Sequence, residues 1–198
     1  MSRRGVSAGA GLVIVGGGPA GLATALGARL AGFDVTVLER FQPVIDKACG
    51  EGLMPDAAAH LRSLGVELGP GDSFPFRGIR YVDGEVSAEG TFPGAGGLGV
   101  RRLALHRALV RRAEEAGVQL LWGRGARGLA PDPAGGYAGV ETDQGLIRAR
   151  WIVGADGLLS KVRRWAGLEK GPGAFRRFGV RRHYALAPWT DCVEVHWG

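Results

Sequence analysis

Leu12-Val13-Ile14-Val15-Gly16-Gly17-Gly18-Pro19-Ala20-Gly21 decides the fold of this chain. The first four residues are apolar, mostly β-branched and without polar alternation, the pattern of a strand buried on both faces. Three glycines follow, then Pro19, whose preset φ and missing donor suit the first position of a helix. Leu22, Leu26 and Leu30 recur every four residues on one face of that predicted helix, and Gly32 closes it. Val35-Thr36-Val37-Leu38 is a second buried run. Strand, glycine turn, helix and strand in this order make a βαβ unit, so the expected fold class is α/β with a Rossmann-like domain.

The six residues from Gly16 also fit G-x-G-x-x-G, with glycines at 16, 18 and 21. In such a motif the first glycine makes the turn, the second lets a pyrophosphate approach the backbone, and the third lets helix pack on strand. Free N–H groups at the helix start then face the phosphates. A bare match is weak in a glycine-rich chain, but here it follows a strand and opens a helix, the context that gives it meaning. Glu39 ends the second strand, 18 residues after Gly21. That is close to the ~20 residues at which an acid accepts from both ribose hydroxyls. A carboxylate there repels a 2′-phosphate, which favours FAD or NAD over NADP at this site.

Further along, the pattern predicts a helix over 56–64 within an irregular stretch 41–75, and a hairpin of strands 79–82 and 85–89 around Asp83-Gly84. The glycine run 94–99 reads as a loop, 102–116 as an amphipathic helix and 118–122 as a buried strand. A hairpin of 136–142 and 146–153 is expected next, then a short helix over 158–166 and two strands between Arg181 and Gly198. His60 and His106 fall in predicted helices and His183 and His196 in predicted strands. Nothing in the sequence pairs any of them with an acid, so none is assigned a catalytic role.

Composition closes off other classes. Of 198 residues 45% are apolar and 22% charged, which argues against disorder. Glycine, at 36 residues, follows no Gly-X-Y period. The apolar stretch 11–30 is broken by glycines, Pro19 and Arg29, so no membrane span is expected. The +6 net charge comes from arginine pairs spread along the chain, a weak nucleic-acid signal. Two cysteines, Cys49 and Cys192, form neither a Cys-x-x-Cys nor a metal set. No signal peptide is evident, and the expected compartment is cytoplasmic.

Gly154-Ala155-Asp156-Gly157, followed by Ser160 and Arg163, completes a set. With the glycine fingerprint this string resembles the Asp-Gly motif of group A flavin-dependent monooxygenases, the para-hydroxybenzoate hydroxylase superfamily. Arg102-Leu103-Ala104-Leu105 resembles that family's Arg-x-x-Leu segment. Lys47-Ala48-Cys49-Gly50-Glu51-Gly52-Leu53-Met54-Pro55 is similar to the Cys-Gly-Glu-Gly-Leu loop of flavoproteins close to geranylgeranyl reductases. Gly50 to Pro55 also fits the Gly-Glu-x-x-x-Pro pattern of flavin-dependent halogenases. No lysine lies between Lys47 and Lys161, however, and no Trp-x-Trp-x-Ile-Pro string is present, which disfavours halogenation.

The resemblance implies FAD as cofactor, NADH or NADPH as electron donor, and oxygenation of an aromatic or polyketide-like small-molecule substrate by molecular oxygen. It implies that Gly16, Gly18, Pro19, Ala20 and Gly21 meet the pyrophosphate, that Glu39 holds the ribose, and that Arg40 and Arg102 lie beside the cofactor. Asp156 and Gly157 would touch FAD and the nicotinamide donor, and Cys49, Gly50 and Glu51 would form a flavin-proximal loop. On the residues alone, Cys49 reads equally as a free thiol buried as a small hydrophobe. The alternatives are a reductase of the geranylgeranyl reductase type and a truncated flavin-binding fragment. The implied domains are a flexible N-terminus 1–10, an FAD-binding domain 11–171 that lends strands from 75–98 to a substrate domain, and the start of that domain over 172–198. Because the family continues further, an N-terminal fragment that self-associates through an incomplete sheet is expected.

Overall fold

A computed structural model describes residues 11–171 and 178–198. The stretch expected to be flexible, 1–10, and the start of the segment 172–198 lie outside the described residues. Strands Leu12–Val15 (β1) and Val35–Glu39 (β2) flank helix Pro19–Leu30 (α1). Gly52–Leu53 (β3), helix Pro55–Ser63 (α2), Ser73–Phe76 (β4), Gly78–Asp83 (β5), Val86–Thr91 (β6) and Gly97–Val100 (β7) follow. Helix Arg102–Glu115 (α3) leads to Gln119–Trp122 (β8), Ala126–Pro131 (β9), Tyr137–Thr142 (β10), Gly145–Arg148 (β11) and Trp151–Gly154 (β12). Lys161–Trp165 (α4) and Cys192–Trp197 (β13) come last. The chain divides into two compact units, Met1–Ile45 with Leu109–Phe175, and Asp46–Ala108 with Arg176–Gly198.

The first unit is the α/β part. Its four strands are all parallel, in the order β12-β1-β2-β8, with α1 as the crossover between β1 and β2. All four β1 residues are buried, as a strand covered on both faces requires. Against this sheet α1 buries Leu22, Ala25 and Leu26, each of the large ones contributing about 1.5–3 kcal/mol. Leu30, expected on the same face, is instead exposed. Residues four apart drift by about 40° per step on a helix of 3.6 residues per turn, so Leu30 has rotated off the face that Leu22 defines.

A three-stranded antiparallel sheet, β11-β10-β9, packs its Val140 and the following Ala149 into the cluster formed by Val13, Val15, Leu38 and Val162. The single strand expected over 146–153 is therefore two. β11 pairs antiparallel with β10, and β12 pairs parallel with β1. The change of partner falls at Ala149 and Arg150, whose amides donate to Ala138 and Gly11. One apolar run thus serves two sheets, which period alone does not reveal.

The second unit holds two small sheets, β3-β7-β4 and β13-β5-β6. The hairpin of β5 and β6 turns at Gly84, whose φ is +56°. The glycine run 94–99 read as a loop holds most of β7, a correction with a packing reason. A Cβ on Gly97 would stand 2.3 Å from the Phe76 ring, so glycine makes room for that ring in the strand. The two strands expected after Arg181 reduce to one, β13, since residues 178–191 contain no strand. β13 runs parallel to β5, and Arg80 ties the three strands together through Glu89 at 2.8 Å and Glu194 at 2.9 Å. Arg77 pairs with Glu89 and, at 2.8 Å, with Asp191.

Candidate functional site

At the carboxyl end of β1 the chain turns through Gly16, where φ is +115°. A side chain is excluded there on two counts. The backbone lies in the left-handed region, and a Cβ would sit 2.3 Å from the Ala155 carbonyl oxygen. At Gly21 the exclusion is purely steric, because a Cβ would meet the Gly16 oxygen at 1.9 Å. Gly18 is the N-cap of α1, with Pro19 behind it, and no side chain caps the helix. The first amides of a twelve-residue helix therefore face outward without a side-chain acceptor, beside a backbone that glycine keeps low. Such a terminus can take a diphosphate.

Glu39 closes β2 next to this turn. Its Oε2 accepts from the Gly17 amide at 2.9 Å and its Oε1 from the Phe41 amide at 3.0 Å. A carboxylate offers about four lone-pair sites, so acceptor capacity is left for a ribose. Arg40 is exposed and its guanidinium lies 4.5 Å from the centre of the Phe41 ring. Trp122, paired with Glu39 across β2 and β8, would be touched by a Cβ on Gly17 at 2.7 Å. Its sequence signal was only that of one more apolar strand residue.

The second motif reaches the same turn, since β12 pairs with β1 and sets Gly154 opposite Val15. The Asp156 carboxylate turns into its own loop. Oδ1 accepts from Ser160 Oγ at 2.5 Å, and Oδ2 accepts from the amides of Lys161 at 2.6 Å and Val162 at 3.2 Å. Burial alone would push this carboxyl up, but the hydroxyl and amide donors outweigh it and hold it below the usual aspartate value. Gly157 is exposed, with φ +86°.

In the second unit Glu51 is the hub. It is a non-glycine residue at φ +56°, a conformation that costs energy unless surrounding contacts hold it. Those contacts are present. Oε1 accepts from the Arg102 amide at 2.7 Å and from Arg181 Nη1 at 3.0 Å, while Oε2 lies 2.7 Å from His183 Nε2. Arg181 also holds both Asp46 oxygens, at 2.7 and 2.9 Å. Burial pushes the Glu51 carboxyl up, yet the Arg102 amide, His183 and Arg181 bring it below its ordinary value.

Ala48, Cys49, Gly50, Glu51 and 179–183 line a cavity of about 480 Å³. Cys49 is exposed, which rules out the buried-hydrophobe reading; its Sγ is 3.5 Å from the Glu51 amide. His183 lies outside any strand and does have an acid partner, so two readings of it are overturned. Sequence reasoning gave no signal for it, because Glu51 lies more than a hundred residues away. Arg102 Nε is buried and lacks a hydrogen-bond partner among the described residues. Most buried polar groups have a partner, so this nitrogen stands out. Within that set no helix is long and apolar enough to cross a membrane.

Similarity to known proteins agrees with this geometry. Over 196 residues the chain is 34% identical to the menaquinone reductase of Mycobacterium tuberculosis, covering 93% of this chain and 48% of that one. It is 36% identical over 167 residues to digeranylgeranylglycerophospholipid reductase 2 of Methanopyrus kandleri, covering 79% of this chain and 40% of the relative. Among solved structures, 2-methyl-3-hydroxypyridine-5-carboxylic acid oxygenase superposes with a TM-score of 0.67 at 31% identity, over 79% of this chain and 42% of that one. The chain thus spans about half the length of the curated relatives it matches. The FAD binding domain family matches residues 10–197, and the chain belongs to that family of flavoproteins.

Proposed function

We propose that this chain supplies the FAD-binding part of an NAD(P)H-dependent flavoprotein monooxygenase acting on an aromatic or polyketide-like small molecule. The observation that carries the reading is the turn at Gly16–Gly21, where two glycines exclude side chains and α1 presents uncapped amides. Gly16, Gly18, Pro19, Ala20 and Gly21 receive the pyrophosphate, Glu39 accepts from the ribose hydroxyls, and Arg40 lies beside the adenosine. Asp156 fixes its loop through α4 and leaves Gly157 and the loop backbone to face the cofactor. The orphaned Nε of Arg102 supports a cofactor contact there, and Cys49, Gly50 and Glu51 form the flavin-proximal loop. When bound, FAD supplies the redox chemistry; the chain's residues bind, orient and exclude water.

A second reading, a flavin-dependent reductase, is favoured by the 34% identity to a menaquinone reductase together with the Cys49–Leu53 loop. Free, exposed Cys49 supports a reducing, cytoplasmic setting. β13, at the edge of its sheet with Trp197 exposed, supports self-association. The test is to reduce the flavin-loaded protein with NADH or NADPH and supply oxygen and candidate substrates. Oxygen from O₂ in the product supports the monooxygenase, whereas a saturated product formed without oxygen supports the reductase. A purified chain with no flavin absorbance and no FAD affinity would overturn both.

A further inference from the structure

We infer that Trp122 is a positioning residue of the ribose subsite, acting through Glu39 rather than by touching the ligand. That Glu39 meets a ribose rests on the function proposed above; the packing of Trp122 against Gly17 and Glu39 does not. The pattern G-x-G-x-x-G leaves its second position open, yet this chain has Gly17 there. The reason lies on β8. A Cβ on Gly17 would stand 2.7 Å from Trp122 Cζ3, 3.1 Å from its Cη2 and 2.9 Å from the Glu39 Cβ. The outer edge of the indole and the stem of the acid therefore share the face that the missing side chain leaves. Gly17 is buried there, while Trp122 and Glu39 are half-buried register partners on β8 and β2.

Glutamate is a long side chain, and ordering it on a ligand costs affinity unless the fold has already done so. Here the order is built in. The Gly17 amide donates to Oε2 at 2.9 Å and the Phe41 amide to Oε1 at 3.0 Å. Past the paired residues the two strand ends stay tied, with the Arg124 amide donating to the Glu39 carbonyl at 2.8 Å and the Gly123 amide to the Phe41 carbonyl at 3.3 Å. These backbone bonds carry the indole alongside the acid. An apolar ring at that corner limits competition from water for the Gly17–Glu39 bond, and a hydrogen bond gains strength in drier surroundings. The acceptor sites that remain on the carboxylate then keep one direction, as reading a pair of neighbouring hydroxyls requires. A ring that stacked on the ligand would act differently, supporting every adenine nucleotide alike. A ring that positions the acid supports only those that carry the hydroxyls.

The experiment uses the whole 198-residue chain and needs no activity. ADP and 2′-deoxy-ADP are titrated by calorimetry into the wild type, Trp122→Leu, Glu39→Ala and the double variant. The wild type should prefer ADP about tenfold, the worth of one hydrogen bond to a charged acceptor. In Trp122→Leu that preference should fall below about threefold, towards the value in Glu39→Ala. Adding Trp122→Leu to Glu39→Ala should cost nothing further, because the ring acts through the acid. Without any ligand, the Gly17 amide should lose hydrogen-exchange protection in Trp122→Leu as it does in Glu39→Ala. Equal weakening of both nucleotides with the preference kept, further loss in the double variant, or an unchanged Gly17 amide would each overturn the proposal. If Trp122→Leu does not fold, Trp122→Phe keeps a ring of shorter reach and should show the same changes at smaller size. A wild-type chain that binds neither ADP nor FAD counts against the flavin reading, and the Gly17 amide then decides the hold of ring on acid by itself.

Discussion

The turn at Gly16–Gly21 and the cavity at Glu51 are built by opposite means. At the turn the working groups are backbone amides, and the side chains matter by being missing: Gly16 and Gly21 each leave room that a Cβ would fill. At the cavity the backbone is irregular and the working groups are side chains from two separated stretches, around 46–51 and 181–183, steadied by the Arg102 amide. A site made of backbone tolerates few substitutions and is written in consecutive residues. One made of side chains is spread through the chain and held by charge, so pH should reach it first.

The largest effect that tests this contrast is at Gly21. Gly21→Ala places a methyl 1.9 Å from the Gly16 oxygen, and both partners are backbone, so neither yields without moving helix or strand. The expected loss is about 3 kcal/mol, measured by urea unfolding. Gly18→Val differs in kind. There a side chain would stand over the uncapped helix start, so the fold should persist while FAD binding is abolished, read from visible absorbance. If Gly18→Val came out fully loaded with flavin, the backbone account of the turn would fail.

A smaller effect separates backbone from side chain within the same turn. Glu39→Ala removes an acceptor for Gly17 and Phe41 and for the ribose, so FAD affinity should weaken at least about tenfold by calorimetry. Glu39→Gln keeps one acceptor oxygen and should fall between the two. Equal affinity in all three would detach Glu39 from the cofactor and leave it a loop-fixing residue.

How much was legible follows the same division. The βαβ unit was readable because buried parallel strands and a glycine turn are local patterns, and β1, α1 and β2 appear where period and punctuation place them. β7 was missed because Gly97 makes room for Phe76 and the strand's glycines carry no side-chain alternation. The run 146–153 was misread because its switch from β10 to β1 is a tertiary choice. His183 was missed for a related reason, since its partner is 132 residues away and nothing at Arg181-Arg182-His183 marks it. Glu51 was singled out for its loop, but its role as a hub depends on φ +56° and three donors that only the folded chain brings together.

The gentlest perturbation, acid, should distinguish the two regions without any mutation. Glu51 is held below its ordinary value of 4.5 in the folded state, because the donors from Arg102, His183 and Arg181 outweigh its burial. A group with a depressed folded value stabilises the folded state above its unfolded value and loses that contribution as pH falls through the folded one. The links from Glu51 to Arg102, Arg181 and His183 should therefore be intact near neutrality and weaken progressively below about pH 4.5. The Arg102 amide reports this directly. Its hydrogen-exchange protection, corrected for intrinsic rate, should drop through that acid range, while the Gly16 amide, which donates to the Leu38 carbonyl, should hold. Asp156, whose value is also depressed, predicts a parallel loss at the Lys161 and Val162 amides, so a first unit wholly indifferent to acid is not expected. What breaks the comparison is order: if Gly16 lost protection before Arg102, the backbone-built turn would be the weaker of the two.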